Sequence, residues 1–146
     1  MDLILWRHAD AEDGVPDSAR PLTTKGVAQA DHVAAWLRKH VRHPKVLVSP
    51  AVRAQQTARA LTESFHTESA LDVGASVSAV LAAAGWPHAD GTTIVVGHQP
   101  TLGQVAAWLL AGTDADWPVK KGAILWFSAA GDHAVLRAAL TPDLAK

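Results

Sequence analysis

Arginine and histidine side chains follow the ends of several apolar runs in this chain. Arg7 and His8 come directly after the run Leu3–Trp6, and His98 follows the run TIVVG. Arg53 lies a few residues beyond a third short run, KVLVS. If these runs are parallel strands of one sheet, their ends meet at the same edge, and the side chains converge in one crevice. Two guanidinium and two imidazole groups there would form a cationic pocket that suits a tetrahedral dianion such as a phosphoryl group.

The chemistry that such a pocket supports is phosphoryl transfer. An imidazole with an ordinary pKa of about 6.5 is largely neutral at pH 7 and can act as a nucleophile. The rest of the catalysis is positioning and charge stabilisation, which fixed arginines supply without a metal. Helices predicted to begin after SP at 49–50 and after HQP at 98–100 would add backbone dipoles of the favourable sign.

The predicted elements that position these residues alternate between strand and helix. Strands are predicted at LILW, KVLVS and GTTIVVG, and helices begin near Thr23 and at AVRAQQTARALTESF, SVSAVLAAAG and TLGQVAAWLLAG. Two last strands, GAILWFSAA and HAVLRAALT, are joined by a GD turn. This order predicts a single three-layer α/β domain over residues 1–146, with a mostly parallel central sheet and helices on both faces.

Composition narrows the class of protein further. The chain has 146 residues, of which 49% are hydrophobic and 18% charged, as in an ordinary globular domain. The formal net charge of -1 and the absence of a basic run argue against a nucleic-acid partner. The absence of cysteine excludes disulfides and thiolate metal sites. No apolar stretch approaches the roughly 20 residues that span a bilayer, and no signal peptide is recognisable, so we expect a cytoplasmic protein with no membrane partner.

Two further histidines, His40 and His43, have a spacing that occurs in metal sites. No third ligand is evident near them. Both lie at the predicted C-terminus of a helix, where the helix dipole favours positive charge. The sequence therefore predicts no metal and no other cofactor.

Four motifs, in order along the chain, resemble those of the histidine phosphatase superfamily, and most of all its short SixA-type phosphohistidine phosphatases. The motifs are LWRHADA, RPLTTKG, VSPAVRAQQTA and VVGHQP, and they extend over nearly the whole chain. The superfamily's Arg-His-Gly reads Arg-His-Ala here, with Ala9 in place of the glycine. The resemblance implies a phosphoglycerate mutase-like fold and phosphatase activity.

The resemblance also implies roles for individual residues. His8 matches the nucleophile that accepts the phosphoryl group and becomes phosphohistidine. Arg7, Arg53 and His98 match the catalytic groups that hold the phosphoryl oxygens. Arg20, in the RPLT motif, matches a substrate-binding arginine of the short subfamily.

Many superfamily members also carry a glutamate after the second helix that protonates the leaving oxygen. The corresponding region here, HTESALDVGASVSAV, has no recognisable acid motif, and SixA-type proteins similarly lack the acid. Asp10, Asp17, Glu68 and Asp72 remain open as proton donors. The chain also has no room for the long insertion that phosphoglycerate mutases use as a lid, and an open site suits a phosphorylated side chain on another protein.

The sequence thus predicts a metal-independent phosphatase that works through a phosphohistidine intermediate. Its predicted substrate is phosphohistidine on a partner protein, such as a signalling or phosphotransfer protein, and the enzyme is expected to be a monomer. One alternative is a phosphatase of small phosphoesters or polyphosphate. Another is a non-catalytic phosphate-binding module, which would have no need of a nucleophile.

Overall fold

The computed structural model describes residues 1–146, in which six strands and four helices alternate much as the sequence predicts. The strands are β1 (Asp2–Arg7), β2 (Lys45–Val48), β3 (His66–Thr67), β4 (Thr92–Gly97), β5 (Ile124–Ala130) and β6 (His133–Leu140). The helices are α1 (Thr24–His40), α2 (Val52–Arg59), α3 (Val77–Ala84) and α4 (Thr101–Ala111). Short 3-10 turns lie at Asp17–Ala19, Ser69–Leu71 and Pro142–Leu144.

All six strands belong to one sheet with the order β3-β2-β4-β1-β5-β6. The β1–β4, β4–β2 and β2–β3 pairs are parallel, whereas β5 runs antiparallel to both β1 and β6. The predicted parallel sheet with a terminal hairpin is therefore confirmed. The first strand lies at the centre of the sheet, so the residues that follow it emerge at the middle of the sheet's edge.

The apolar run of β1 is buried because helices cover both faces of the sheet. Ile4 and Trp6 belong to a core that they share with α1 and α2, while Leu3 and Leu5 belong to a second core with α3 and α4. A strand that is covered on both sides reads as a continuous hydrophobic run rather than an alternating one. The chain thus forms the single three-layer α/β domain that the strand–helix alternation predicts.

Helix ends follow local capping chemistry. Thr23 precedes α1, and its hydroxyl accepts a hydrogen bond of 2.9 Å from the backbone N–H of Gly26. The third and fourth helices end at Gly85 and Gly112, both in the left-handed conformation. The second helix is shorter than its sequence predicts and ends at Arg59. No helix combines the length and the hydropathy that crossing a bilayer would need.

The first turn of α1 packs directly on the loop that follows β1. A Cβ atom at Gly26 would lie 1.9 Å from the carbonyl oxygen of Asp10, so only glycine fits at this contact. The backbone N–H of Asp10 donates to the side chain of Gln29, 2.9 Å away, one turn further along the helix. The loop after β1, which begins with His8, is in this way fixed to the body of the domain.

Candidate active site

Two histidines lie side by side at the carboxyl edge of the sheet because their strands are neighbours. Arg7 of β1 is in register with Gly97 of β4, and the next residues are His8 and His98. The backbone N–H of His8 donates to the carbonyl oxygen of Gly97 over 3.1 Å. The two imidazole rings lie with their centroids 5.2 Å apart and tilted by 53°. Both residues are buried, as expected for strand ends that face a crevice.

The tautomer of His8 follows from its hydrogen bond. Its Nδ1 atom lies 2.8 Å from the carbonyl oxygen of Ala9. A carbonyl oxygen can only accept, so Nδ1 carries the proton and donates it. The lone pair of the neutral ring is therefore on Nε2, which is the nucleophilic atom of this side chain. Ala9 is itself held in place, because its N–H donates to the hydroxyl of Thr57 on α2 over 3.0 Å.

Burial and neighbouring charge keep both imidazoles neutral. Burial lowers the pKa of His8 to about 3, and the positive charges of Arg53 and Arg7 act in the same direction. Burial also lowers the pKa of His98 to about 4, with Arg53 as the next cause. A neutral His8 at physiological pH is the form that a nucleophile requires.

His98 is oriented by a serine at the end of β2. The hydroxyl of Ser49 lies 2.7 Å from Nε2 of His98, and the N–H of Ala51 donates to the same hydroxyl over 3.2 Å. The sequence predicts Ser49 only as a residue just before the start of a helix. Nothing in VSP indicates that its hydroxyl meets His98 at the end of another strand. The structure adds it to the site as a positioning residue.

Arg53 reaches the same crevice from the first turn of α2. It is only 3% exposed, although a charge on the face of a helix is ordinarily solvated. One terminal nitrogen donates to the backbone oxygen of Asp17 over 2.9 Å, and the other donates to the Asp17 carboxylate over 3.1 Å. Arg20 also donates to that carboxylate, over 3.0 Å, and its other end binds the carbonyl oxygen of Glu12.

One cavity of about 370 Å³ collects these groups. All five residues that the sequence predicts as site residues line it, namely Arg7, His8, Arg20, Arg53 and His98. Three buried side-chain nitrogens have no hydrogen-bond partner in the protein, and each belongs to a residue lining this cavity: Arg7 Nε, Arg53 Nε and His98 Nδ1. Buried polar groups in native proteins are nearly always satisfied, so unpartnered nitrogens gathered around one cavity indicate a site for a ligand rich in acceptor oxygens.

The four carboxylates considered as proton donors have different surroundings. Asp10 binds Lys121 and Thr23, both within 2.9 Å. The Glu68 carboxylate accepts from the N–H of Ala70, and that of Asp72 accepts from the N–H of Val73.

Asp17 is the one carboxylate among these four that lines the cavity. Hydrogen bonds from Arg53 and then Arg20 lower its pKa. A general acid needs the opposite shift, towards the operating pH. Asp17 therefore stays ionised and is poorly suited to deliver a proton.

His40 and His43, the two histidines whose spacing occurs in metal sites, lie outside this cavity. His40 stacks on Trp36 with ring centroids 4.1 Å apart, and its Nδ1 lies 2.8 Å from the Trp36 carbonyl oxygen. No group of three or more His, Cys, Asp or Glu side chains is arranged to hold a metal ion.

Comparison with known proteins places this geometry in a family. The sequence model of the histidine phosphatase superfamily (branch 1) matches residues 3–71. The phosphohistidine phosphatase SixA of Escherichia coli (strain K12) is 35% identical over 124 residues, which are 77% of this chain and 76% of that protein. The chain belongs to the histidine phosphatase superfamily. A SixA homologue of Haemophilus influenzae is 27% identical over 86% of this chain and 88% of its own length.

A solved histidine phosphatase structure agrees with the fold over its whole length. The protein histidine phosphatase SixA complexed with tungstate superposes with a TM-score of 0.84 and 28% identity, covering 100% of both chains. The three-layer architecture of the present histidine phosphatase is thus that of SixA.

Proposed function

We propose that this protein is a phosphohistidine phosphatase that removes the phosphoryl group from a histidine of a partner protein and carries it on His8. The observation that supports this most is the combination of a neutral nucleophile and unpartnered donors around one cavity. His8 presents a free Nε2, while buried nitrogens of Arg7, Arg53 and His98 have no acceptor. The SixA relative that was solved with tungstate, a tetrahedral oxyanion, supports the same reading.

In the first step, Nε2 of His8 attacks the phosphorus atom. A new bond forms between Nε2 and phosphorus as the bond between phosphorus and the substrate's imidazole nitrogen breaks, and the electron pair leaves with that imidazole. Arg7, Arg53 and His98 would hold the three phosphoryl oxygens. Two fixed guanidinium groups stabilise the charge on these oxygens, so this step needs no metal.

The hydrogen bond between His8 and the Ala9 carbonyl oxygen supports this step. When Nε2 becomes phosphorylated the ring gains positive character, and the Ala9 carbonyl oxygen that accepts from Nδ1 stabilises it. Neutral His98 can donate from Nδ1 to a phosphoryl oxygen if the Ser49 hydroxyl donates to Nε2. Water then attacks the phosphohistidine, which releases inorganic phosphate and restores the neutral ring.

The absence of a suitable acid in the cavity supports phosphohistidine as the substrate class. An alkoxide is a poor leaving group and needs a proton during cleavage. A phosphohistidine ring can already carry a proton on its distant nitrogen, so it leaves as a neutral imidazole whose conjugate acid has a pKa of about 6.5. With Asp17 held ionised by Arg53 and Arg20, phosphohistidine is the substrate that this cavity favours.

The experiment is a comparison of leaving groups. We would measure kcat/KM for a phosphohistidine peptide, phosphoimidazole, 4-nitrophenyl phosphate and phosphoserine. General acid catalysis is worth about 10²- to 10⁴-fold, so phosphoserine should be slower than the first three by at least about 10²-fold. Equal rates would overturn the proposal in favour of small phosphoesters. Turnover of none of them would leave a phosphate-binding module. The cytoplasmic location and the monomeric state stay predictions from the sequence.

A further inference from the structure

A second and larger cavity, of about 550 Å³, adjoins the phosphoryl cavity. Arg7 and Lys121 line both cavities, so the two share a wall. Lys25 of α1, Lys120 from the loop before β5 and Lys146 at the chain's end complete its basic lining. Any molecule that places a phosphoryl group on His8 therefore has this second cavity beside it.

The second cavity is strongly basic in a protein whose net charge is only -1. Four of the chain's six lysines line it, and the single carboxylate in the lining is that of Asp143. Among the four lysines, only Lys121 has a carboxylate within ion-pair distance, that of Asp10 at 2.9 Å. The positive charge of Lys25, Lys120 and Lys146 is thus left without an ion-pair partner in the protein.

Close packing brings the three elements of this cavity together. Gly122 is buried and has a φ of 77°, and a Cβ atom there would lie 2.8 Å from Pro142 of the C-terminal turn and 3.3 Å from Gln29 of α1. This contact fixes the loop before β5 and the C-terminal turn against the first helix. The lysines are exposed, but they come from separate segments and converge around one concave surface.

The lining of the cavity selects among anions. Neither Trp nor Phe lines it, and His32 is its one aromatic side chain, so the cavity offers a nucleobase or an aryl group little surface on which to stack. Lysines are point charges on flexible stems, whereas close recognition of a phosphate more often uses the planar fork of arginine. Flexible point charges instead tolerate carboxylates in varied positions, which is what an acidic protein surface presents.

We propose that this lysine cavity receives acidic side chains that flank the phosphohistidine on the partner protein. The inference rests on the proposed function and adds a recognition site to it. Charge complementarity of this kind increases the rate of encounter and sets the orientation of the partner, and its effect falls with ionic strength.

Two peptides that differ only in flanking charge test this site. Both carry one histidine phosphorylated with phosphoramidate, with glutamates on either side in one peptide and glutamines in the other. The quantity measured is the ratio of kcat/KM for the glutamate peptide to that for the glutamine peptide. For the unmodified enzyme at low salt we expect a ratio of about 10 that approaches 1 in 0.5 M NaCl.

A matched pair of variants locates the effect. In the Lys25→Glu/Lys120→Glu enzyme the ratio should fall to 1 or below. The Lys39→Glu/Lys45→Glu enzyme has the same change in net charge, made outside the cavity, and should keep the ratio of the unmodified enzyme. An unchanged ratio in the first variant, or an equal loss in both, would overturn the inference.

The outcomes also separate this inference from the proposed function. If the enzyme hydrolyses both peptides equally well at low salt, the inference fails and the proposed function stands. If, in that case, tripolyphosphate inhibits the unmodified enzyme but not the Lys25→Glu/Lys120→Glu enzyme, the cavity binds free phosphate chains instead. If the enzyme hydrolyses neither peptide but does hydrolyse phosphoserine, the proposed function fails, and the inference with it.

Discussion

The imidazole rings of His8 and His98 lie 5.2 Å apart in one buried crevice, with Arg7 and Arg53 lining the same cavity. Protonation of either ring would place a further positive charge, at a buried position, beside these two guanidinium groups. The fold therefore holds both rings neutral, with a pKa of about 3 for His8 and about 4 for His98. The burial that lowers these two pKa values should therefore reduce the stability of the protein in acid.

The stability of the protein should fall as the pH drops from about 6.5 towards 4. In this range the unfolded chain protonates these two histidines and the folded chain does not, so unfolding takes up protons. Each histidine then contributes a slope of up to about 1.4 kcal/mol per pH unit to the free energy of unfolding. Above pH 6.5 both histidines are neutral in both states, and this contribution is constant.

Chemical denaturation of the unmodified protein and of His8→Gln, at steps from pH 7.5 to 4, checks this. The variant should lose stability less steeply than the unmodified protein below pH 6.5, because it has one fewer buried histidine. Parallel curves for the two proteins would show that His8 is protonated in the folded state.

Replacing Arg53 by lysine should impair catalysis although the charge is kept. Lysine lacks the planar fork and the Nε atom, which in Arg53 is buried without a hydrogen-bond partner. Loss of one donor to a reacting oxygen costs about 10²- to 10³-fold in kcat, so a fall of about 10²-fold in kcat/KM for 4-nitrophenyl phosphate is expected. Arg59→Lys, on the exposed side of the same helix, is the control and should retain normal kinetics. Normal kinetics for Arg53→Lys would make Arg53 a structural partner of Asp17 only.

Replacing Asp17 by asparagine should strengthen phosphate binding. The carboxylate accepts from Arg53 and would compete for this guanidinium with the phosphoryl group of the proposed mechanism. Removing a negative charge near a bound anion favours binding of that anion, so we expect Kd for phosphate to fall by about fivefold. Calorimetric titration with inorganic phosphate would measure this, with Asp13→Asn, an exposed carboxylate of the same loop, as the control. Should Asp17→Asn instead lose its activity on phosphoserine alone, Asp17 would be the proton donor.

Gly26→Ala should destabilise the fold and disturb the loop after β1. The added Cβ would lie 1.9 Å from the Asp10 carbonyl oxygen, which is backbone and cannot move aside cheaply. Overpacking costs about 1–3 kcal/mol, and a clash this severe should reach the upper end of that range. Gly97→Ala meets its nearest neighbour at 3.5 Å and should cost less when both variants are compared by thermal unfolding. Equal melting temperatures would show that the loop yields easily.

The sequence predicts the fold and the residues of the cavity well because both depend on local signals. The buried run of β1 and the left-handed glycines that end α3 and α4 are legible from a few residues each. Likewise, Arg7, His8 and His98 follow strand ends, and strand ends of a parallel sheet meet at one edge.

Other features depend on contacts between distant segments, which a single sequence does not reveal. The hydroxyl of Ser49 meets His98 only because β2 and β4 pair, and β3 is too short for its alternation to be recognised. The lysine cavity joins residues from α1, the loop before β5 and the C-terminal turn. Lys25, Lys120 and Lys146 are unremarkable surface lysines until those segments are brought together.

The most direct test of the proposed mechanism is to trap the phosphorylated enzyme and locate its phosphoryl group. The enzyme would be mixed with phosphoimidazole, quenched in alkali within milliseconds, and analysed by mass spectrometry and ³¹P NMR. The Nδ1–H of His8 donates to the Ala9 carbonyl oxygen, so the phosphoryl group should be on Nε2 of His8 and absent from a folded His8→Ala enzyme. A phosphoryl group on Nδ1 or on His98, or full turnover by His8→Ala, would contradict the assignment of His8 Nε2 as the nucleophile.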